Sequence, residues 1–212
     1  PAIRDRLETL VQHPHPEVRG HAAGCLYMQA PGKLKPKIDG WLRSADPDQR
    51  KAGVIAAGRT GQRGYAAALA RMLSDPDNQP IWKDLLSSLA QLNPPDLNEL
   101  AEKFLDHPDP DLRRAALETV EITDEKALSD VIDHLGDSDD AISRLARKKI
   151  RNAGYINGQA LIEALNRPNR RLREGIFELL AALNIKDLDL VRFTRQGQIG
   201  RASCRERVCH RV

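Results

Sequence analysis

The chain has 212 residues, of which 41% are hydrophobic, 30% charged and 4% aromatic, with a formal net charge of +3. This composition suits a globular chain of one or two domains, and few aromatic residues beside abundant Ala and Leu favour helices over a β-sandwich. No apolar run approaches the roughly 20 residues of a membrane span, and no signal-peptide pattern opens the chain, so we expect a cytoplasmic location or the cytoplasmic face of a membrane protein.

Six segments of similar sequence recur along residues 1–198. Their equivalent positions are 31, 29, 34, 30 and 30 residues apart, at Val18, Gln49, Asn78, Leu112, Ile142 and Leu172. Repetition with a period of about 20 to 50 residues is typical of solenoids, in which each unit buries its apolar stripe against the next. The sequence therefore predicts about six stacked copies of one structural unit.

The copies open with the signals of a helix N-terminus. An aspartate that can cap free amides precedes a proline suited to the first helical position in Asp46-Pro47, Asp75-Pro76 and Asp109-Pro110. Apolar residues then recur at four-residue steps, as at Leu112, Ala116 and Val120, which predicts an amphipathic helix. The third copy contains Pro80, which predicts a first helix that begins late or bends.

A second, shorter amphipathic segment follows in most copies. These segments begin near Leu34, Gly64, Pro94, Glu125 and Gly158. Gly, Pro and Asn cluster between the two segments of a copy and indicate short turns. Each copy is therefore predicted to be a helix, a turn, a second helix and a turn.

The pattern xDPDxxxRxxAxxxL followed by a second helix resembles the short HEAT-like repeats of the phycobilin-lyase type, which form armadillo-like solenoids. The resemblance covers nearly all of residues 1–198 and implies an all-α fold, a right-handed α–α solenoid. It also implies a structural arginine in the first turn, often paired with acidic groups of an adjacent repeat. That position holds Arg19, Arg50, Arg113 and Arg173, but Gln79 in the third copy and Ser143 in the fifth.

We predict no catalytic residue, no cofactor and no metal ligand. The di-iron hydroxylases of this fold use His-Glu dipeptides, whereas every histidine here precedes Pro, Ala, Leu or Arg. Solenoid DNA glycosylases need a basic face with aromatic residues; Trp41, Tyr65 and Trp82 are present, but residues 1–198 carry 29 basic and 29 acidic groups. A bilin-lyase or glycosylase activity stays an alternative, because a fold does not determine a function.

The lone thiol and the N-terminal histidines have structural interpretations. Cys25 is adjacent to Leu26 and is predicted to be buried and inert. His13, His15 and His21 could share a metal, but the prolines of a helix entrance explain their segment.

Charge is segregated along the copies. Residues 1–74 hold 12 basic and 6 acidic groups (net +6), residues 75–140 hold 5 and 18 (net −13), and residues 141–198 hold 12 and 5 (net +7). The pattern has two interpretations: helix faces neutralised by neighbouring repeats, or a surface that selects a partner of complementary charge. Second helices usually line the concave face of such solenoids, so the resemblance suggests partner contacts at Lys33, Lys37, Glu99, Glu102, Asp130 and Asp133.

The last fourteen residues differ from the rest. Residues 199–208, IGRASCRERV, resemble a translated sequencing adapter, so we expect 199–212 to be a non-native tail that contributes Cys204, Cys209 and the whole net charge of +3. A zinc site would need four ligands, and haem attachment would need C-x-x-C-H, so neither interpretation is favoured. We expect residues 1–198 to be a fragment of a larger bacterial-type protein, cut at both ends.

These observations predict a non-catalytic interaction or regulatory scaffold. Its expected partner is another protein or another domain of the parent chain, and we expect neither nucleic-acid binding nor membrane insertion. The alternatives are a solenoid enzyme of the bilin-lyase or DNA-glycosylase type, or a regulatory segment of a transporter or cyclic-nucleotide-binding protein.

Overall fold

The computed structural model describes residues 2–153 and 158–183 of the chain. These residues form twelve α-helices and three short 3₁₀ segments, and they contain no β-strand. The predicted fold class, an all-α solenoid, is confirmed. The chain divides into two compact units, unit 1 with residues 1–120 and unit 2 with residues 121–212.

Unit 1 holds eight of the described helices. They are α1 (Ala2–Leu10), α2 (Pro16–Tyr27), α3 (Pro31–Leu42), α4 (Pro47–Arg59), α5 (Ala66–Leu73), α6 (Trp82–Leu92), α7 (Leu97–Glu102) and α8 (Pro110–Thr119). The even-numbered helices are the first helices of four copies, and they pack on one another in the order α2, α4, α6, α8. The odd-numbered helices from α3 onward are the second helices predicted from the shorter amphipathic segments.

Aspartate caps start several of these helices, as predicted. The carboxylates of Asp46, Asp75 and Asp109 each accept a hydrogen bond from the amide two residues later, at 2.9, 3.0 and 2.9 Å. In unit 2 Asp139 caps in the same way, at 2.7 Å from the amide nitrogen of Ala141. Each such cap contributes about 1 kcal/mol to helix stability.

The third copy departs from its neighbours in the way that Pro80 predicts. Residues Pro76–Ile81 form a 3₁₀ segment, and the α-helix begins only at Trp82. Proline has no amide to donate, so the tighter 3₁₀ turn takes the place of the first α-helical turns.

Small residues bring the first helices of unit 1 together. A Cβ atom on Gly58 of α4 would lie 2.7 Å from Cβ of Ser88 on α6, and one on Gly20 of α2 would lie 2.8 Å from the carbonyl oxygen of Ala52. Real Cβ atoms do not approach so closely, so the glycines set the separation of these helices. All residues from Ala52 to Gly58 are buried, as expected for a helix covered on all sides.

Unit 2 holds the other four described helices. They are α9 (Glu125–Asp133), α10 (Asp140–Asn152), α11 (Gly158–Ala164) and α12 (Arg170–Leu183), with a 3₁₀ segment at His134–Gly136. Helix α12 packs on α10 and on the 3₁₀ segment. A Cβ on Gly175 of α12 would lie 2.9 Å from the carbonyl oxygen of Leu135, so here the close approach joins a helix to a loop segment.

Candidate functional site

The first-turn arginines bind backbone carbonyls. Nη1 of Arg50 donates to the carbonyl oxygens of Ser44 and Ala45, at 3.0 and 2.9 Å. The same atom of Arg19, Arg113 and Arg173 donates to the carbonyl six residues earlier, at 3.0, 2.9 and 2.8 Å. These carbonyls follow a helix end, where backbone amide donors are lacking. The N–H groups of a guanidinium can donate to them instead.

Among the described residues no carboxylate lies within ion-pair distance of Arg19, Arg50 or Arg173, although the resemblance implies acidic partners in an adjacent repeat. Arg19 does reach the next copy, but Nη2 donates to the backbone oxygen of Asp48, at 3.2 Å, and not to its carboxylate. The arginines are therefore structural donors that tie each first helix to the turn before it.

The two copies without the arginine use shorter donors. Nδ2 of Asn78, which is buried, donates to the carbonyl of Met72 six residues earlier, at 3.2 Å. Oγ of Ser143 donates to the carbonyl of Leu135 at 2.7 Å. Sequence reasoning assigned the third position to Gln79 and missed Asn78, whose acceptor lies six residues earlier, as do those of the four first-turn arginines; for Ser143 the offset is eight residues.

An ion-pair ladder crosses three first helices of unit 1. Nζ of Lys51 on α4 lies 2.5 Å from Oε1 of Glu17 on α2 and 3.7 Å from Oδ2 of Asp84 on α6. The hydrogen bond from Lys51 lowers the pKa of Glu17. Burial raises the pKa of Asp84, with the Lys51 charge opposing that rise. We call Glu17, Lys51 and Asp84 the ion-pair ladder.

Two of the predicted contact residues, Lys33 and Lys37, lie one turn apart on α3. Nζ of Lys33 is 4.0 Å from Oε1 of Glu8, and the Lys33 side chain is 72% exposed. Nζ of Lys37 lies 5.3 Å from the ring centroid of Trp41, which is itself buried. Burial lowers the pKa of Lys37, and the positive charges of Lys33 and Arg19 lower it further.

The next predicted pair, Glu99 and Glu102, lies on α7. Glu102 is half-buried, whereas Glu99 is exposed, as are Asp96 and Asp106 at either end of this segment. Within the described part of the chain, no lysine or arginine nitrogen lies within ion-pair distance of Asp96, Glu99 or Asp106. We call these three residues the α7 acidic surface.

The third predicted pair, Asp130 and Asp133, lies on α9 in unit 2. Asp130 is half-buried. Asp133 already has an internal partner, because its carboxylate pairs with Nη1 of Arg167, whose Nη2 donates to Oγ of Ser129 at 3.0 Å. The three pairs therefore differ in how readily their charged groups can contact a partner protein.

The histidines near the N-terminus have protein partners. Nδ1 of His13 accepts from the amide of His15 at 3.1 Å, and Nδ1 of His21 accepts from Nε of Arg59 at 3.2 Å. Across residues 2–153 and 158–183, no three His, Cys, Asp or Glu side chains are placed to share a metal ion. None of the helices found there is long and apolar enough to cross a membrane.

Two expectations about cysteine have different outcomes. The prediction that Cys25 is buried is wrong, because the residue is exposed. It is one residue from Leu26, but one residue turns a helix by about 100°, which carries Cys25 off the buried stripe of Ala22 and Leu26. The expectations for the tail, including Cys204 and Cys209, lie outside the described residues.

One stretch of the chain is similar to a known repeat family. The family model of HEAT repeats matches residues 3–90, which contain the first two complete helix pairs and most of the third first helix. Among curated proteins, none matches the chain. Residues 3–90 are therefore similar to HEAT repeats, and further helix pairs follow this stretch along the chain.

Proposed function

We propose that this chain is a non-catalytic protein-interaction scaffold whose charged second helices contact the partner. HEAT repeats generally serve as interaction scaffolds and are typically non-enzymatic, which supports the class of function. The observation that carries the proposal is a difference between the helices of unit 1. Charges at the centre of the first-helix stack are paired in the ion-pair ladder, whereas none of the described lysines and arginines pairs with the α7 acidic surface.

That difference matters energetically. A carboxylate that already has a cation partner must lose it before it can pair with another molecule. The carboxylates of Asp96, Glu99 and Asp106 are exposed, so a basic partner can approach them without breaking an internal contact. Complementary charge of this kind raises association rates and selects partners.

The experiment compares two double charge reversals in the full chain. The test variant is Asp96→Lys with Glu99→Lys, and the control is Asp5→Lys with Asp48→Lys, which changes net charge equally at exposed residues of α1 and α4. Binding of a fluorescent helical peptide with lysines at positions i, i+4 and i+7 is followed by anisotropy. We expect about tenfold weaker binding for the test variant, because two attractions become repulsions, and about twofold or less for the control.

Equal weakening in both variants would show that only net charge matters and would overturn the assignment to α7. Binding of duplex DNA in preference to the peptide would overturn the protein-scaffold proposal as a whole. Thermal unfolding followed by circular dichroism checks that each variant is folded.

Asp130 and Asp133 extend the proposal to unit 2, where Arg167 gives a sharper test. Asp133→Lys removes a candidate contact but also breaks the internal pair with Arg167. Arg167→Gln breaks the same pair and leaves the carboxylate in place. We expect Arg167→Gln to strengthen binding of the basic peptide and Asp133→Lys to weaken it; weakening by both would mean that the pair is only structural.

A further inference from the structure

Helix α10 has one apolar and one cationic face. Ile142, Ala146 and Ile150 are fully buried on the side that packs against the rest of unit 2. Three cations are exposed on the opposite side, at four- and three-residue steps: Arg144, Lys148 and Arg151. Side chains at this spacing lie in one row along a helix. We call these three residues the α10 stripe.

Arginines near the α10 stripe pair with carboxylates of the same unit. Nη1 of Arg147 lies 2.8 Å from Oε2 of Glu178, and Arg170 and Arg171 pair with Glu174 and Asp140 at 3.0 and 3.4 Å. By contrast, the part of the chain that the structure describes offers no carboxylate within ion-pair distance of the α10 stripe. Its one described hydrogen bond runs from Nε of Arg144 to the backbone oxygen of Asp140.

Helix stability does not explain the stripe. Like charges four or three residues apart repel, whereas opposite charges at four-residue spacing stabilise a helix, as in Arg4–Glu8 and Lys35–Asp39. The helix dipole favours a cation in the last turn, which accounts for Arg151. It does not account for Arg144, which lies in the first half of the helix where the dipole favours anions.

We propose that the α10 stripe binds an acidic helix of a partner protein. From Arg144 to Arg151 the stripe extends about 10 Å, which matches carboxylates at positions i, i+4 and i+7 of a facing helix. The α10 stripe shares no residue with the α7 acidic surface, and it would bind a partner segment of opposite charge.

Other anionic partners fit less well. Helix α10 carries no aromatic side chain on which a nucleic-acid base could stack. A helix that lies on a lipid surface needs an apolar face turned to the membrane, but the apolar face of α10 is buried in its own unit. A carboxylate-bearing helix requires only the cations and their spacing.

The test uses the full chain and a fluorescent helical peptide with glutamates at i, i+4 and i+7, with a glutamine version as the reference ligand. The test variant carries Arg144→Glu, Lys148→Glu and Arg151→Glu. A matched control carries Arg6→Glu, Arg63→Glu and Arg71→Glu, three exposed cations of unit 1. The four arginines of residues 199–212 are present in every protein and contribute equally.

We expect the test variant to bind the acidic peptide more than about tenfold more weakly than the parent chain, and the control to stay within about twofold. If the test variant unfolds, glutamine at the same three positions is expected to weaken binding about threefold or more. Equal losses in test and control, no preference for glutamate over glutamine peptide, or stripe-dependent tighter binding of duplex DNA or phosphatidylserine vesicles would each overturn the proposal. Self-association abolished by the same substitutions would identify a second copy as the partner and would also overturn it.

Discussion

The two compact units join successive first helices in different ways. In unit 1, glycines within the helices let α2, α4 and α6 pack directly on one another, and Lys51 of α4 links their surfaces. In unit 2, α12 contacts α10 and also the 3₁₀ segment His134–Gly136, where Gly136 and Gly175 allow the close approach. The same repeat signature therefore supports two kinds of junction, and the positions of a few glycines distinguish them.

The difference extends to the charged surface. The ladder places its charges between first helices of unit 1, so they contribute to cohesion. In unit 2 only some first-helix charges are used in this way, and the α10 stripe faces solvent. Both sets of charges lie on first helices. Those of the ion-pair ladder stabilise the fold, whereas those of the α10 stripe are available for binding.

The largest expected effect comes from filling the glycine contact of unit 1. In Gly58→Leu the new side chain has no room, because even its Cβ would lie 2.7 Å from Cβ of Ser88. Overpacking of this kind costs about 1 to 3 kcal/mol. We expect a lower free energy of unfolding of that size in urea titrations.

The matched control is Gly40→Leu on α3, where a Cβ would meet no atom within 4 Å. Replacing an exposed helical glycine by leucine is expected to stabilise the chain by up to about 1 kcal/mol. A destabilisation of similar size at both positions would contradict the idea that the glycine at 58 sets the helix separation.

Effects of similar size or smaller are expected from the first-turn donors, one in each unit. Arg50→Met removes two charge-assisted hydrogen bonds to the turn before α4 and is expected to cost about 1.5 to 3 kcal/mol. Ser143→Ala removes one neutral hydrogen bond to Leu135 and is expected to cost about 0.5 to 1.5 kcal/mol. Urea titrations of both variants measure the loss in free energy of unfolding. A larger loss for Ser143→Ala would show that the arginine hydrogen bonds are not the stronger ones.

The smallest effect is the pH dependence of the ion-pair ladder. The pKa of Glu17 lies below its ordinary value of 4.5, so its stabilising contribution is present above that pH and is lost as the pH falls through the folded-state pKa. Asp84 has a raised pKa, so it binds its proton more readily in the folded state, and this favours folding as the pH falls.

Glu17→Gln and Asp84→Asn should therefore change the pH profile in opposite directions. The stability advantage of the parent chain over Glu17→Gln, about 0.2 to 1 kcal/mol at pH 7, should shrink below about pH 4.5. The advantage over Asp84→Asn should grow in the same range. Unfolding titrations between pH 3 and 7 measure both differences, and a shift of the same sign in both variants would contradict the ladder geometry.

Several features of the fold were predictable because they depend on neighbouring residues. The aspartate caps and the late start of α6 each follow from a few consecutive residues, and the helix pairs follow from local apolar periodicity. The prediction that Cys25 is buried is wrong, because adjacency to a buried leucine does not place a residue on the same face of a helix. Asn78 was missed because its role depends on a carbonyl in the preceding turn and not on the aligned residue type.

The ion pairs of the candidate surfaces could not be predicted from the sequence. The segregation of charge and the repetition of helix pairs follow from the sequence alone, because both are properties of consecutive residues. The pairing of Asp133 with Arg167 depends on the tertiary structure, as does the finding that no lysine or arginine in the described ranges pairs with Glu99. The tertiary structure also decided that Lys51 lies between Glu17 and Asp84, each more than 30 residues away. Such pairings depend on how closely one copy packs against the next, and at the centre of unit 1 that separation is set by the glycine contacts between first helices.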